Sequence, residues 1–236
     1  MNIIIHPKYK HLTGFINSIP DIFETQGKSI YKARNELKTY ETDGCHIIVK
    51  KFKKPHFINR IAYGFFRSSK AQRSYKHALE LLKRHISTPE PIAYIEEKSF
   101  GLLNNSYYIC IFAKEYEQVR SYMNGDKKND MLLKDLAAFI AGFHNKEVDF
   151  LDLSPGNILF KPENGGFVFS LIDINRLKFR NIPEKERYKS FTKLANSEKV
   201  IEQLISRYAE ICNFNEQFAI QKVKKYSSHF FKDYHK

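Results

Sequence analysis

Phe150-Leu151-Asp152-Leu153-Ser154-Pro155-Gly156-Asn157-Ile158-Leu159-Phe160 is the stretch that decides how the rest of this chain is read. A polar centre, from Asp152 to Asn157, lies between two apolar flanks. Ser154, Pro155 and Gly156 make that centre a loop. Upstream, Leu132, Leu133, Leu136, Ala137, Phe139, Ile140 and Phe143 recur at helical spacing behind a cap at Asn129 or Asp130, which predicts an amphipathic helix. Downstream, Ile158-Leu159-Phe160 opens a strand. The loop therefore offers one carboxylate and one amide between a helix and a strand.

The strand continues into a hairpin. Asn164-Gly165-Gly166 is its turn, and Phe167 to Ile172 is its return strand. That strand runs into Leu171-Ile172-Asp173-Ile174-Asn175. The order D-L-x-x-x-N, then hairpin, then an Asp closing an apolar strand matches the catalytic loop and metal-binding D-F-G of a kinase, written here as D-I-N. The spacing has a chemical reason. An acceptor hydroxyl needs a carboxylate to orient it and take its proton, and the nucleotide phosphates need magnesium held by hard oxygen donors. Asp152 suits the first task, Asn157 and Asp173 the second. A lone D-x-x-x-x-N is a weak signal because Asp and Asn are ordinary turn residues; the order and the strand-helix context make it specific.

The first half of the chain reads differently. Ile30-Tyr31, Leu37 to Tyr40 and His46 to Lys50 form a three-stranded meander, broken at Lys32-Ala33-Arg34-Asn35 and at Thr42-Asp43-Gly44. A helix follows from Ser69 to His85, with Ala71, Tyr75, Ala78, Leu79 and Leu82 on its apolar side, and Thr88-Pro89-Glu90-Pro91 stops it. Ile92 to Ile95 and Tyr107 to Phe112 add two strands. Ile47-Ile48-Val49-Lys50 imitates the V-A-I-K strand whose Lys holds nucleotide phosphates, and Lys51 points to the opposite face. After Pro183 the pattern is helical. The fold class expected is α+β: a bilobal protein-kinase-like fold. Its N-lobe (1–116) has an antiparallel sheet of about five strands and one helix, and its C-lobe (117–236) is mainly helical. A hinge near Glu115 to Glu117 would put Glu115 and Tyr116 beside a nucleotide in the cleft.

Composition narrows the partners. The 236 residues carry a net charge of +13, which calls for an anionic partner. The longest uncharged apolar run, Tyr107 to Ala113, is far shorter than the roughly 20 residues that span a bilayer. The N-terminus has neither the apolar run nor the cleavage site of a secretory signal, so a cytoplasmic protein is expected. Cys45, Cys110 and Cys212 form no C-x-x-C pair, so neither disulfides nor zinc are expected. Between Gly44 and Leu79 stand nine Lys or Arg and no Asp or Glu, interleaved with Phe52, Phe57, Ile58, Ile61, Tyr63, Phe65 and Phe66. Segment 50–76 thus reads as a surface for an anionic membrane, or else as aromatics under the sheet with solvated cations above. Nucleic acid is disfavoured, since no recognition helix, RNP signature or zinc spacing is present.

Three runs then resemble the lipopolysaccharide kinase (Kdo/WaaP) family: Asp152-Leu153-Ser154-Pro155-Gly156-Asn157-Ile158-Leu159, Leu171-Ile172-Asp173-Ile174-Asn175-Arg176, and Thr88-Pro89-Glu90-Pro91 after the helix opening Ser69-Lys70-Ala71. The resemblance spans about Ile30 to about Arg180. It implies a kinase at the cytoplasmic face of the inner membrane that uses ATP and magnesium to phosphorylate Kdo, ahead of heptose, on a lipid A-Kdo acceptor. It would make Asp152 the base, Asn157 and Asp173 the magnesium ligands, and Lys50 the phosphate clamp. The sequence departs from the kinase pattern at Phe150, where kinases carry His, and at Ser74, where they carry the Glu that pairs the clamp Lys, with Lys76 and Glu80 nearby. The first hairpin has Gly27 alone instead of G-x-G-x-x-G. Lys32 and Arg34 stand there either as cationic phosphate contacts or as solvent-facing turn residues. His144, eight positions before Asp152 on an apolar stripe, reads as a packed histidine. The alternatives are a kinase-like scaffold with a degenerate nucleotide site, or a kinase for protein or another small molecule.

Overall fold

The computed structural model describes residues 1–54, 67–123, 130–194 and 197–233. Phe57, Ile58, Ile61, Tyr63, Phe65, Phe66 and the capping candidate Asn129 lie outside the described residues. The chain divides into two compact units, Met1–Lys114 and Glu115–Lys236.

The first unit is built on a six-stranded antiparallel sheet. Its strands are β1 (Asn2–Ile5), β2 (Lys28–Lys32), β3 (Glu36–Thr42), β4 (Cys45–Phe52), β5 (Pro91–Ser99) and β6 (Leu102–Ile111), arranged β1-β5-β6-β4-β3-β2. The five expected strands are present. Asp43 and Gly44 both take positive φ, 47° and 73°, so the β3–β4 turn follows the right-handed twist of the strands it joins. Helix α1 (Thr13–Ile22) and strand β1 are additions that the sequence reading missed. Pro20 inside α1 removes a helical hydrogen bond. Burial outweighs it: Leu12, Ile16, Ile19 and Phe23 are all sealed from solvent against Ile47, Val49, Tyr107 and Ile109 of the sheet, each burial stabilising by roughly 1.5–3 kcal/mol. Buried Lys38 of β3 donates to the carbonyls of Phe23, Glu24 and Gln26 just beyond α1, which satisfies both the ammonium and the helix end. Helix α2 (Lys70–Lys83) covers the other face, where its Tyr75 meets Tyr94 of β5 at 5.4 Å. Ser69 caps it, accepting from the amide of Gln72 at 3.0 Å. The buried stripe of α2 runs through Leu81, and Leu82, which the sequence reading put in that stripe, is 37% exposed.

The second unit opens with β7 (Glu117–Gln118) and α3 (Asp130–Asn145), followed by β8 (Val148–Phe150), β9 (Ile158–Glu163), β10 (Gly166–Leu171) and β11 (Leu177–Phe179). Helices α4 (Glu184–Ser190), α5 (Glu198–Cys212) and α6 (Glu216–Asp233) complete it. The strands form two small sheets, β10-β9-β7 and β11-β8. The apolar stripe of α3 is buried as its spacing predicts, with Leu132, Leu136, Ala137 and Ile140 fully enclosed. The β9–β10 hairpin is fastened to α3 twice: Asp135 Oδ2 accepts from the Phe167 amide at 3.0 Å, and Phe139 stacks on Phe169 at 5.4 Å. That leaves the loop between β8 and β9 suspended between two fixed ends.

Candidate active site

Phe150 closes β8, is fully buried, and pairs in register with Leu177 of β11. Packing thus anchors the loop at the position where the kinase pattern has a histidine. Next to it, Asp149 accepts from Arg180 Nε at 2.9 Å and Nη2 at 2.6 Å, a charge-assisted fork that ties β8 to the residue just past β11. Arg180 also holds Glu186 of α4, and each partner favours the other's charged form.

Two backbone turns then shape the loop: the Leu153 amide donates to the Phe150 carbonyl at 3.1 Å, and the Asn157 amide to that of Ser154 at 2.9 Å. The Asn157 side chain reaches back, its Nδ2 donating to the Asp152 carbonyl at 2.9 Å. Its backbone carbonyl accepts from the Ile172 amide at 3.0 Å. Ile172 is bonded covalently to Asp173, so Asp152, Asn157 and Asp173 belong to one hydrogen-bonded unit. Asp173 takes left-handed φ and ψ of 54° and 41°, which ends the strand abruptly. A non-glycine residue held there stores of order 1 kcal/mol, and such residues cluster at functional sites. Asn175 Nδ2 donates to Asp173 Oδ1 at 2.7 Å.

Magnesium fits this donor set. It asks for a few hard oxygens and keeps water and phosphate for its other positions. Asp173 supplies a carboxylate, and because Nδ2 of Asn157 is committed to Asp152, its Oδ1 is the atom left to coordinate. Among the described residues no cluster of three or more His, Cys, Asp or Glu forms a self-sufficient metal cage.

Three cations that the sequence reading did not assign surround the loop. Arg176 Nη1 lies 3.9 Å from Asp152 Oδ2, and Lys193 Nζ lies 3.6 Å from Oδ1. Arg120, whose amide donates to the Pro155 carbonyl at 3.1 Å, lays its guanidinium so close over Gly156 that a Cβ there would collide with it. Arg176 had a signal in the sequence, three positions past Asp173; Lys193 and Arg120 had none.

In the first unit, Lys50 stands opposite Tyr108, on the sheet face that meets α2, with its Nζ 5.2 Å over the Phe52 ring. Lys51 points the other way and pairs with Glu24 at 2.5 Å. Alternation along β4 therefore separates the two lysines as expected. Ser74 is buried and donates to the Lys70 carbonyl, while Glu80 is held by Arg84 at 2.7 Å. Lys32 is 73% exposed beside Glu36, and Arg34 is an exposed residue of the β2–β3 turn. Glu115 and Tyr116 sit at the start of the second unit, where Lys161 Nζ lies 3.8 Å from Glu115 and 5.5 Å over the Tyr116 ring. Phe52 follows the second reading of segment 50–76, an aromatic packed under the sheet: it is only 3% exposed and belongs to the sheet's core. His144 is a packed residue, its Nδ1 2.8 Å from the Tyr208 hydroxyl, and burial drives its pKa down to about 3.

A sequence model of the lipopolysaccharide kinase (Kdo/WaaP) family matches residues 24–230. The chain belongs to this family. Among solved structures, this Kdo/WaaP-family chain is similar to one described as WaaP in complex with acyl carrier protein. The two are 16% identical with a TM-score of 0.65, and the match covers 98% of this chain and 100% of the other. That likeness establishes the kinase-like fold: an antiparallel N-terminal sheet followed by a mainly helical part. A comparison with curated proteins found no match. Members of the family are phosphotransferases of the lipopolysaccharide core. Among the described residues no helix is long and apolar enough to cross a membrane.

Proposed function

We propose that this kinase transfers the γ-phosphoryl group of ATP to a hydroxyl of an inner-core sugar, Kdo ahead of heptose, on a lipid A-Kdo type acceptor. The observation that carries the reading is the Asn157 side chain, which binds the Asp152 backbone on one side and leaves a metal-competent oxygen on the other. Asp152 orients the acceptor hydroxyl and takes its proton. Asn157 and Asp173 would hold magnesium, which when bound would neutralise phosphate charge. Lys50 clamps the α and β phosphates, Lys32 and Arg34 supply cations from the hairpin that lacks a glycine-rich loop, and Glu115 and Tyr116 contact the nucleoside. Residues 1–116 serve as the nucleotide lobe and 117–236 as the catalytic lobe. Most of the acceleration comes from positioning and charge neutralisation.

The test is turnover of radiolabelled ATP on lipid A-Kdo by the native protein and by Asp152→Asn. Phosphate transfer by the first and almost none by the second is expected; equal turnover would mean that Asp152 is not the base. We also propose that the chain works at the cytoplasmic face of the inner membrane, with the cations of segment 50–76 against anionic lipid. Sedimentation with anionic vesicles that weakens as salt rises is the expected result.

A second reading, a kinase-like scaffold, is favoured by one observation: Ser74, where the kinase pattern has Glu, is buried and donates to the Lys70 carbonyl, and the nearby Glu80 is held by Arg84. Magnesium-dependent stabilisation by ATP in a thermal-shift experiment would reject it.

A further inference from the structure

Two cations without a role in the chemistry above converge on the carboxylate of Asp152. Arg176 comes from the 3-10 turn Ile174–Arg176 after β10 and approaches Oδ2; Lys193 comes from the turn Phe191–Lys193 after α4 and approaches Oδ1. Unrelated elements thus deliver one positive charge to each oxygen. Neither side chain has another ion pair among the described residues. They are 64% and 41% exposed, so both contacts are weak and exchange readily for a ligand.

Their position is informative because of what Asp152 must do. A general base has to lie within hydrogen-bonding distance of the hydroxyl it deprotonates, so a seated acceptor is also within reach of both cations. At 3.9 and 3.6 Å the two cations attract the carboxylate by charge without hydrogen-bonding to it. A neutral sugar offers them no replacement partner. A sugar carrying its own anion does: the guanidinium fork and the ammonium both favour carboxylate or phosphate oxygens. The phosphates of the nucleotide already have Lys50 and the metal ligands, and neither Arg176 nor Lys193 pairs with Asp173.

Resting on the reading of Asp152 as the base of a sugar kinase, we propose that Arg176 and Lys193 form an acceptor-anion subsite. They bind a carboxylate or phosphate that the acceptor carries near the hydroxyl to be phosphorylated. In doing so they select an acidic sugar over a neutral one. When the anion binds, it becomes the cations' hydrogen-bonded partner beside Asp152.

The experiment is steady-state kinetics of the full chain with MgATP on three acceptors: Kdo-lipid A, the same molecule with its Kdo carboxylates methyl-esterified, and the same molecule without its lipid A phosphates. Each acceptor is tried with the native protein, Lys193→Met, Arg176→Met and the charge-conserving Lys193→Arg. If the carboxylate is read, esterification raises the acceptor KM about ten-fold or more, as for the loss of one good charged contact. Lys193→Met and Arg176→Met then do the same with the KM for ATP within about two-fold, and ester and variant together cost no more than either alone. Lys193→Arg restores most of the loss, which separates recognition from misfolding. If a phosphate is read, the dephosphorylated acceptor shows this pattern in place of the ester. Losses that multiply, or variants that lower kcat on every acceptor at constant acceptor KM, would overturn the subsite and place the cations on the phosphoryl group in transit. No turnover of any acceptor by the native protein would overturn the sugar-kinase reading, and the subsite with it.

Discussion

Asn157 shows how much one side chain settles in this site. Its amide nitrogen holds the Asp152 carbonyl at 2.9 Å and its backbone carbonyl holds the amide before Asp173 at 3.0 Å, so it fixes the spacing of Asp152 from Asp173. Removing it should hurt chemistry more than stability. The lost side-chain hydrogen bond is worth about 0.5–1.5 kcal/mol, whereas losing both the positioning of Asp152 and a metal oxygen should lower kcat by about 100-fold or more. Asn157→Ala is thus expected to melt within a few degrees of the native protein and to turn over almost nothing, as read by calorimetry and ATP turnover. A fall in melting temperature large enough to explain the lost activity would count against the assignment. At this scale the sequence was legible where spacing along the chain carries the signal, as for Asp152, Asn157 and Asp173. Phe52 was left between an interfacial aromatic and one packed under the sheet because period-2 alternation assigns a face without saying what covers it.

Elements respond to a different set of forces. Gly27, between α1 and β2, has φ of 79°, and a Cβ there would lie 2.5 Å from the Tyr40 ring. Gly27→Ala therefore combines backbone strain with a clash against a ring that is largely buried, and a loss of roughly 1–3 kcal/mol is expected in urea unfolding. An unchanged midpoint would show that Tyr40 moves aside freely. Ser69→Ala removes the cap of α2 and should cost about 1 kcal/mol, measured in the same way. The meander and the β9–β10 hairpin were readable because Asp43-Gly44 and Asn164-Gly165 supply the positive φ values that tight hairpins demand. Strand β1 and helix α1 were not readable. Four residues of Ile-rich strand give little periodicity, and Pro20 argues locally against the helix that burial imposes.

Across the molecule, His144 links stability to pH. Its ring is enclosed by Phe143, Phe191 and Tyr208, one nitrogen faces the Tyr208 hydroxyl at 2.8 Å, and the other has no hydrogen-bond partner among the described residues. Burial, and to a smaller extent the nearby Arg187 charge, lower its pKa from the usual 6.5 to about 3. The unfolded chain then binds one more proton than the folded chain between those values, so this contribution is intact above pH 6.5 and is lost progressively as pH falls toward 3. The slope from this one group approaches about 1.4 kcal/mol per pH unit. Denaturation midpoints from pH 7 to pH 4 should fall steeply for the native protein and less steeply for His144→Asn; identical slopes would exclude His144 as the cause.

What the sequence determined by itself is the order of chemistry along the chain: a carboxylate, an amide oxygen, a hairpin and a second carboxylate, with a lysine-bearing strand upstream. These features are set by near neighbours, and turn preference and hydrophobic period express near neighbours directly. Only the tertiary structure decided which charges meet that carboxylate. Lys193 reaches Asp152 because α4 and the turn after it pack back toward the loop, and Arg120 covers Gly156 because the segment after β7 bonds to Pro155. Contacts of that kind depend on how buried surfaces fit together in space, which no local pattern encodes.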